Sequence, residues 1–137
     1  MADLIEFELV SPEKLLVSRP VEMVVVPGSE GDFGALPGHA PLISEIRPGV
    51  IAVFEGGQVQ ERIFVAGGFA EVTAERCTVL AEQAMPVAAI DRQAVDSELK
   101  DARGDLGEAK NDAERAIAER EIAVAEAKLA ALDSPVY

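Results

Sequence analysis

A change of texture at Met85-Pro86 constrains this chain more than any other feature. Before it, β-branched and aromatic residues stand in short runs broken by Gly, Pro and acidic residues. Beyond it β-branched residues thin out, no aromatic appears until Tyr137, and Ala, Glu, Asp, Arg and Lys take over. The first texture suits strands and the second helices. One secondary-structure class cannot satisfy both, so the sequence predicts an α+β chain, with a β domain over 1–86 and an α-helical domain over 87–137.

In Ile5-Glu6-Phe7-Glu8-Leu9 apolar side chains alternate with glutamates, which puts one face on a core and the other in water. Further strand-like runs are Val21 to Val26, Val50 to Phe54, Val59 to Ala66, Phe69 to Thr73 and Cys77 to Glu82. Gly56-Gly57 reads as a hairpin turn, and Thr73-Ala74-Glu75-Arg76 links another pair. Many short strands with no intervening helix describe an antiparallel β-sandwich or flattened barrel. Gly67-Gly68 reads as a bulge or a tight backbone approach between strands.

Past Pro86, Asp91 is placed to cap the orphan amides of a helix, with Ile90 and Val95 at the two positions of a hydrophobic staple. Val95, Leu99, Ala102 and Leu106 form one apolar stripe. Gly104 and Gly107 weaken that helix, and Asn111-Asp112-Ala113-Glu114 offers a second capping signal. The second helix should run to about Leu132, with Ile122, Ala125, Leu129 and Leu132 on one face, Ile117 and Val124 beside it, and Pro135 preventing continuation. Two such helices joined by a short turn make an antiparallel hairpin. Its alanines bury little area each, so the hairpin is expected to depend on a neighbour for stability.

The net charge of −13 repels phosphate backbones and anionic headgroups, which argues against nucleic-acid and direct membrane binding and favours a partner with basic patches. The single Cys77 has no partner for an intramolecular disulfide, and no signal-like apolar run follows Met1; both point to a reducing, cytoplasmic setting. No window reaches the roughly eighteen uncharged apolar residues of a membrane span, so another subunit would have to bring the protein to a membrane.

The stretch from Pro27 to Leu42 looks like a shaped loop. Seven of the fifteen residues from Pro27 to Pro41 are Gly or Pro, yet they form no simple repeat and apolar residues are set between them. Gly28, Gly31 and Gly34 recur every third residue, but no strand followed by a helix frames them as a phosphate loop requires. Glu30 and Asp32 read as charged contacts to a partner, and Phe33 beside them is too large an apolar group to expose without reason. His39, the only histidine, lacks the second His, the nucleophile or the Cys-x-x-Cys that catalysis or a metal site would need. It reads as a structural or interface residue, and Cys77, alternating with Val79 and Ala81, as a small core hydrophobe.

This stretch, taken with Phe64-Val65-Ala66-Gly67-Gly68-Phe69-Ala70-Glu71-Val72 and Val79-Leu80-Ala81-Glu82, resembles the epsilon subunit of the bacterial F-type ATP synthase, equivalent to the mitochondrial delta subunit. The likeness runs in order from Phe7-Glu8-Leu9-Val10-Ser11-Pro12 to the Ala-rich end and is specific over the first 85 or so residues. It implies a non-catalytic component of the central stalk of a proton-translocating enzyme, without cofactor or metal, clamped to the gamma subunit, seated on the membrane c-ring and reaching the alpha/beta catalytic head. Glu30, Asp32 and Phe33 would then meet the c-ring, while His39, Ala40, Pro41 and Leu42 would shape the part that packs on gamma. Because the family residues begin within ten of Met1, the resemblance favours the cytoplasmic face of a bacterial plasma membrane over a mitochondrion.

Some members of that family bind ATP on the hairpin through Ile or Leu, Asp, two variable residues, Arg and Ala. Here Ile90 and Asp91 match, but Ala94 stands at the arginine and Val95 at the alanine, which removes the guanidinium best suited to grip a phosphate. From Ala89 onward twelve acids face seven bases, and Arg115, Arg120 and Lys128 are the only bases of the second helix. That is a weak electrostatic latch for blocking ATP hydrolysis, so modest inhibition or none is expected. Without the resemblance, a free-standing β-sandwich binding module with a helical arm fits the residues equally well. A small hydrolase or isomerase built on His39 would lack its catalytic partners.

Overall fold

The computed structural model describes residues 3–133. The protein forms two compact units that divide after Pro86. The first contains β1 (Ile5–Val10), β2 (Leu15–Val21), β3 (Met23–Gly28), β4 (Gly31–Ala35), β5 (Leu42–Glu45), β6 (Gly49–Glu55), β7 (Gln58–Val72) and β8 (Arg76–Pro86).

Two strands serve both layers of the sandwich. The first half of β7 pairs with β6, its second half pairs with β5, and β8 follows it antiparallel along both halves. One layer is therefore ordered β2-β1-β8-β7-β5 and the other β8-β7-β6-β3-β4. Every pairing is antiparallel except that of β1 with β8, which is parallel. The expected all-antiparallel sandwich thus carries one parallel pair. The core lies between the layers, with Ile5, Phe7 and Leu9 of β1 and Cys77 and Val79 of β8 facing Val24, Val26, Ile51 and Val53. Phe7, Ile5 and Leu9 are fully buried, as their alternation with glutamates predicts.

The strands cross between layers at Gly67-Gly68, where both residues have positive φ (+73° and +101°). The register on either side is unchanged, Ala66 facing Gln83 and Gly68 facing Ala81, so the site is a bend without a bulge. A Cβ on Gly68 would lie 1.8 Å from the carbonyl oxygen of Leu80. Of the two readings of this pair, tight approach is the one that holds. The runs Val59 to Ala66 and Phe69 to Thr73 are accordingly halves of one 15-residue strand.

β2, β4 and β5 are absent from the sequence reading. β2 lacks clean alternation and contains Pro20, tolerated because β2 is an edge strand. β4 is the glycine-rich centre of the supposed loop; it becomes a strand by pairing with β3, Pro27 opposite Asp32 and Gly28 opposite Gly31. Arg19 of β2 reaches Glu55 and Glu61 at 3.3 and 2.8 Å, tying one layer's edge to the β6–β7 hairpin of the other. Those two carboxylates raise the Arg19 pKa against a desolvation that by itself would lower it.

The second unit holds a 3₁₀ turn at Val87–Ala89 and two helices, α1 (Arg92–Glu108) and α2 (Asp112–Asp133). Asp91 caps α1, its carboxylate accepting from the amides of Gln93 and Ala94, and the staple residues Ile90 and Val95 are both buried. Gly104 and Gly107 do not end α1 early, since the helix runs to Glu108. Asn111 accepts from the amide of Glu114 at 2.8 Å, while the Glu114 carboxylate turns back to the amide of Lys110 at 3.3 Å. The buried face of α2 is Ala118, Ala125, Lys128 and Ala131. Of the expected face Ala125 is buried, while Ile122, Leu129 and Leu132 lie on the flank, half-buried, because the small alanines let the helix axes approach and leave the larger side chains at the edge. Pro135 lies outside the described residues.

Candidate docking surfaces

The sequence-predicted interface residues fall into two groups separated along the sandwich. Glu30 sits with Ser29 at the two-residue turn of the β3–β4 hairpin, exposed to solvent on its flank. The amide of Ser29 donates to the carbonyl of Glu45, the last residue of β5. His39, Ala40 and Pro41 precede Leu42, the first residue of β5. A four-residue strand therefore stands between the groups, a separation of about 10 Å along the strand direction. Glu30 and His39 belong to opposite ends of β5 and share no site.

Within the tip, Asp32 is held by Arg47, whose Nη2 lies 2.5 Å from its Oδ1 while Nη1 donates to the carbonyl of Gly28 at 2.5 Å. Phe33 is half-buried and packs against the core, its ring lying where a Cβ on Gly28 would come within 3.0 Å of it. The solvent exposure that marked Phe33 as a contact in the sequence is thus only partial.

In the second group, Gly38 donates its amide to Ala74 at 2.7 Å and His39 donates its amide to Leu36 at 3.1 Å, so the connection is tied to the β7–β8 turn. Nδ1 of the half-buried His39 lies 2.5 Å from the carbonyl of Ala40, which places the ring proton on Nδ1. Leu42 is half-buried against the core and pairs with Val72. Desolvation pushes the Cys77 thiol up to about 12, so it is protonated and inert at neutral pH.

A third surface is one that the sequence reading missed. Across the outer face of the layer containing β1, register aligns Phe69 with Leu80, Leu80 with Val10, and Val10 with Leu15. Phe69, Leu80 and Leu15 are 46, 40 and 55 % exposed, and Ile43, on the neighbouring β5, is 71 % exposed. Four strands thus present one continuous apolar row, edged by Glu45 opposite Phe69, by Glu71, and by the Glu8–Arg76 ion pair. A row of exposed apolar side chains on the outer face of a sheet is a candidate docking surface. The signal was in the phase of the alternation: Phe69 is in step with Glu71 and out of step with buried Ala70 and Val72, and Leu80 is in step with Glu82 and out of step with Val79 and Ala81.

In the hairpin, Ile90 and Asp91 serve the helix start. Arg92 is paired with Asp133 across the open end of the hairpin, and that partner raises its pKa. Lys128, 9 % exposed, reaches Glu98 of α1 at 3.4 Å, and Arg115 pairs with Asp112 at 2.8 Å. An open groove of about 730 Å³ at the hairpin turn is lined by Asp105, Glu108, Glu114, Glu121, Ile117 and Lys110. Four carboxylates against one ammonium repel a phosphate group. Among the described residues no helix is long and apolar enough to cross a membrane.

A β-sandwich with an exposed apolar face and a capped helical hairpin has the features of a protein-docking module. Likeness to known proteins supplies its family. Residues 4–87 match the β-sandwich domain of the ATP synthase delta/epsilon chain, and residues 91–136 match the C-terminal domain of the ATP synthase epsilon chain. The ATP synthase epsilon chain of Rhodospirillum rubrum is 65% identical over 102 residues, covering 74% of this protein and 76% of that one; the epsilon chain of Rhodospirillum centenum is 60% identical over 111 residues, covering 77% and 76%. In structure, a polypeptide of the Euglena gracilis mitochondrial ATP synthase, solved as OSCP/F1/c-ring, superposes with a TM-score of 0.81 at 26% identity over 94% of this protein and 81% of that one. The protein belongs to the ATP synthase epsilon chain family, and it is a non-catalytic subunit of that complex.

Proposed function

We propose that the protein is a rotor element of a proton-translocating F-type ATP synthase, joining the gamma subunit to the membrane c-ring so that ion flow reaches the alpha/beta catalytic head as torque. The observation that carries this reading is the apolar row Phe69, Leu80, Val10 and Leu15 on a sheet face that would otherwise be solvated. The row, continued by Ile43 of β5 toward the segment His39, Ala40, Pro41 and Leu42, is the gamma-facing surface. The hairpin tip with Glu30, flanked by Asp32 and Phe33, is the ring-facing one. The Euglena relative was solved together with an F1 and a c-ring, which supports this placement by likeness. The subunit then works at the cytoplasmic face of a bacterial plasma membrane and is held there only through the complex.

The hairpin contributes little or no inhibition of ATP hydrolysis and no conventional ATP sensing. Arg115 and Lys128, two of the three bases of α2, are already engaged inside the hairpin, Arg92 is engaged by Asp133, and the Asp91 carboxylate is engaged by helix amides.

Two measurements test the reading. Leu80→Glu places a charge on the row without touching the core and should weaken binding to a gamma-containing head at least about tenfold, as loss of an interface anchor does. Unchanged binding removes the face from the interface. The ATP hydrolysis rate of the head with gamma is then compared without the epsilon-type subunit, with its full length, and with a form stopped after Ala88. Equal rates with both bound forms are expected. Slowing by the full-length form alone would make the hairpin an inhibitory latch, and failure of both forms to bind would overturn the rotor reading.

A further inference from the structure

The tip of the β3–β4 hairpin is laced to the end of β5 and the β5–β6 connection at three points. Ser29 donates its amide to Glu45 at 2.8 Å and Arg47 donates its amide to Pro27 at 3.0 Å, and these two bonds make the bridge between Gly28 and Ile46. The third point is the Arg47 guanidinium, which alone uses charge: its two nitrogens reach the Gly28 carbonyl and the Asp32 carboxylate, on either side of the Ser29-Glu30 turn. A guanidinium holds two acceptors in a fixed fork, which an ammonium of one nitrogen does less well. Close packing leaves no slack beside it, since a Cβ on Gly49 would lie 2.9 Å from Pro27. Gly31, at φ +138°, follows the turn as the first residue of β4 and is intrinsically pliant, so an external brace has something to restrain.

We propose that Arg47 is the positioning residue of the exposed tip: by forking between Gly28 and Asp32 it fixes the direction in which Glu30 projects and cancels the neighbouring carboxylate, so that Glu30 supplies the tip's recognisable charge. This inference rests on the reading of the tip as the ring-facing surface. It assigns the two carboxylates different parts, Glu30 to the partner and Asp32 to the brace.

The test uses the whole ATP synthase in proteoliposomes, assembled with the Arg47→Gln, Arg47→Lys, Glu30→Ala or unaltered subunit. The ratio of proton pumping to ATP hydrolysis reports coupling, and a fluorophore on Ser29→Cys reports tip mobility by anisotropy, the buried Cys77 remaining unlabelled. Arg47→Gln should lower the coupling ratio roughly threefold, the size expected when a solvent-exposed ion pair is lost, and should lower the anisotropy. The thermal midpoint of the free subunit should move little, and Arg47→Lys should recover part of both signals. A normal ratio in Arg47→Gln with a reduced ratio in Glu30→Ala overturns the role of Arg47 while the ring reading stands. Normal ratios in both overturn the ring reading and this inference together. A loss in Arg47→Gln that tracks a lowered thermal midpoint and is not recovered by lysine shows a merely structural residue and also overturns it.

Discussion

The sandwich and the hairpin are built on opposite packing strategies. In the sandwich, large residues such as Phe7, Ile5, Leu9 and Ile51 are fully buried between two layers, and each removes a large apolar area from water. In the hairpin the most buried positions of α2 are three alanines and a lysine. Alanine gains little by burial, so that unit relies on caps, close helix approach and ion pairs at its open end. The difference teaches where each can tolerate change: the sandwich fails by losing volume, the hairpin by gaining it or by losing an end.

The largest effect should come from Phe7→Ala, which removes a fully buried ring and should lower unfolding free energy by about 3–5 kcal/mol in urea titrations. A loss below about 1 kcal/mol would mean the core is not close-packed there. Gly68→Ala should cost about 2–3 kcal/mol, because a residue with φ +101° is strained even before its Cβ meets the Leu80 carbonyl. Thermal denaturation of this variant separates the bend from an ordinary strand position. Ala125→Leu sharpens the other side of the comparison. Overpacking the seam should cost about 1–3 kcal/mol, and an increase in stability instead would show that the alanine seam has room to spare.

The pH dependence follows from Cys77. Its folded pKa is raised from 9.0 to about 12, so the folded state favours the neutral thiol. That contribution is complete below the unfolded pKa and is lost as pH rises through the window from about 9 to about 12, at up to about 1.4 kcal/mol per pH unit. Stability curves of Cys77→Ser should lack this alkaline decline. The smallest effect belongs to Asp91→Ala, which removes the cap of α1 and should cost about 1 kcal/mol, read as lost helical signal in circular dichroism. If the loss is nil, Gln93 and Ala94 find other acceptors.

The same contrast explains what could be read from the residues alone. β1 was legible because Glu6 and Glu8 alternate with buried side chains, and α1 because Asp91, Ile90 and Val95 carry a complete start signal. β4 was not, because Gly31-Asp32-Phe33-Gly34-Ala35 has turn composition and becomes a strand only through its ladder with β3. β5 is four residues long and follows Pro41, too short for a pattern. In α2 the apolar periodicity places Ala125 correctly, but the seam selects small residues over Ile122, Leu129 and Leu132, and it also buries Lys128, three residues after Ala125, which its charge does not announce. For the docking surfaces, the sequence pointed to Glu30 and His39 through loop chemistry but passed over Phe69 and Leu80. Exposed apolar residues within strands look like core until the register of four strands is known.

β7 and β8 run through both layers without interruption, bending only at Gly67-Gly68. The layer bearing the apolar row and the layer bearing the β3–β4 hairpin are therefore stitched together by two unbroken lengths of backbone, and parting them means stretching covalent chain. From β7 the connection to the Glu30 tip passes sideways through the β7–β6 and β6–β3 ladders, so those hydrogen bonds set the give between the two surfaces.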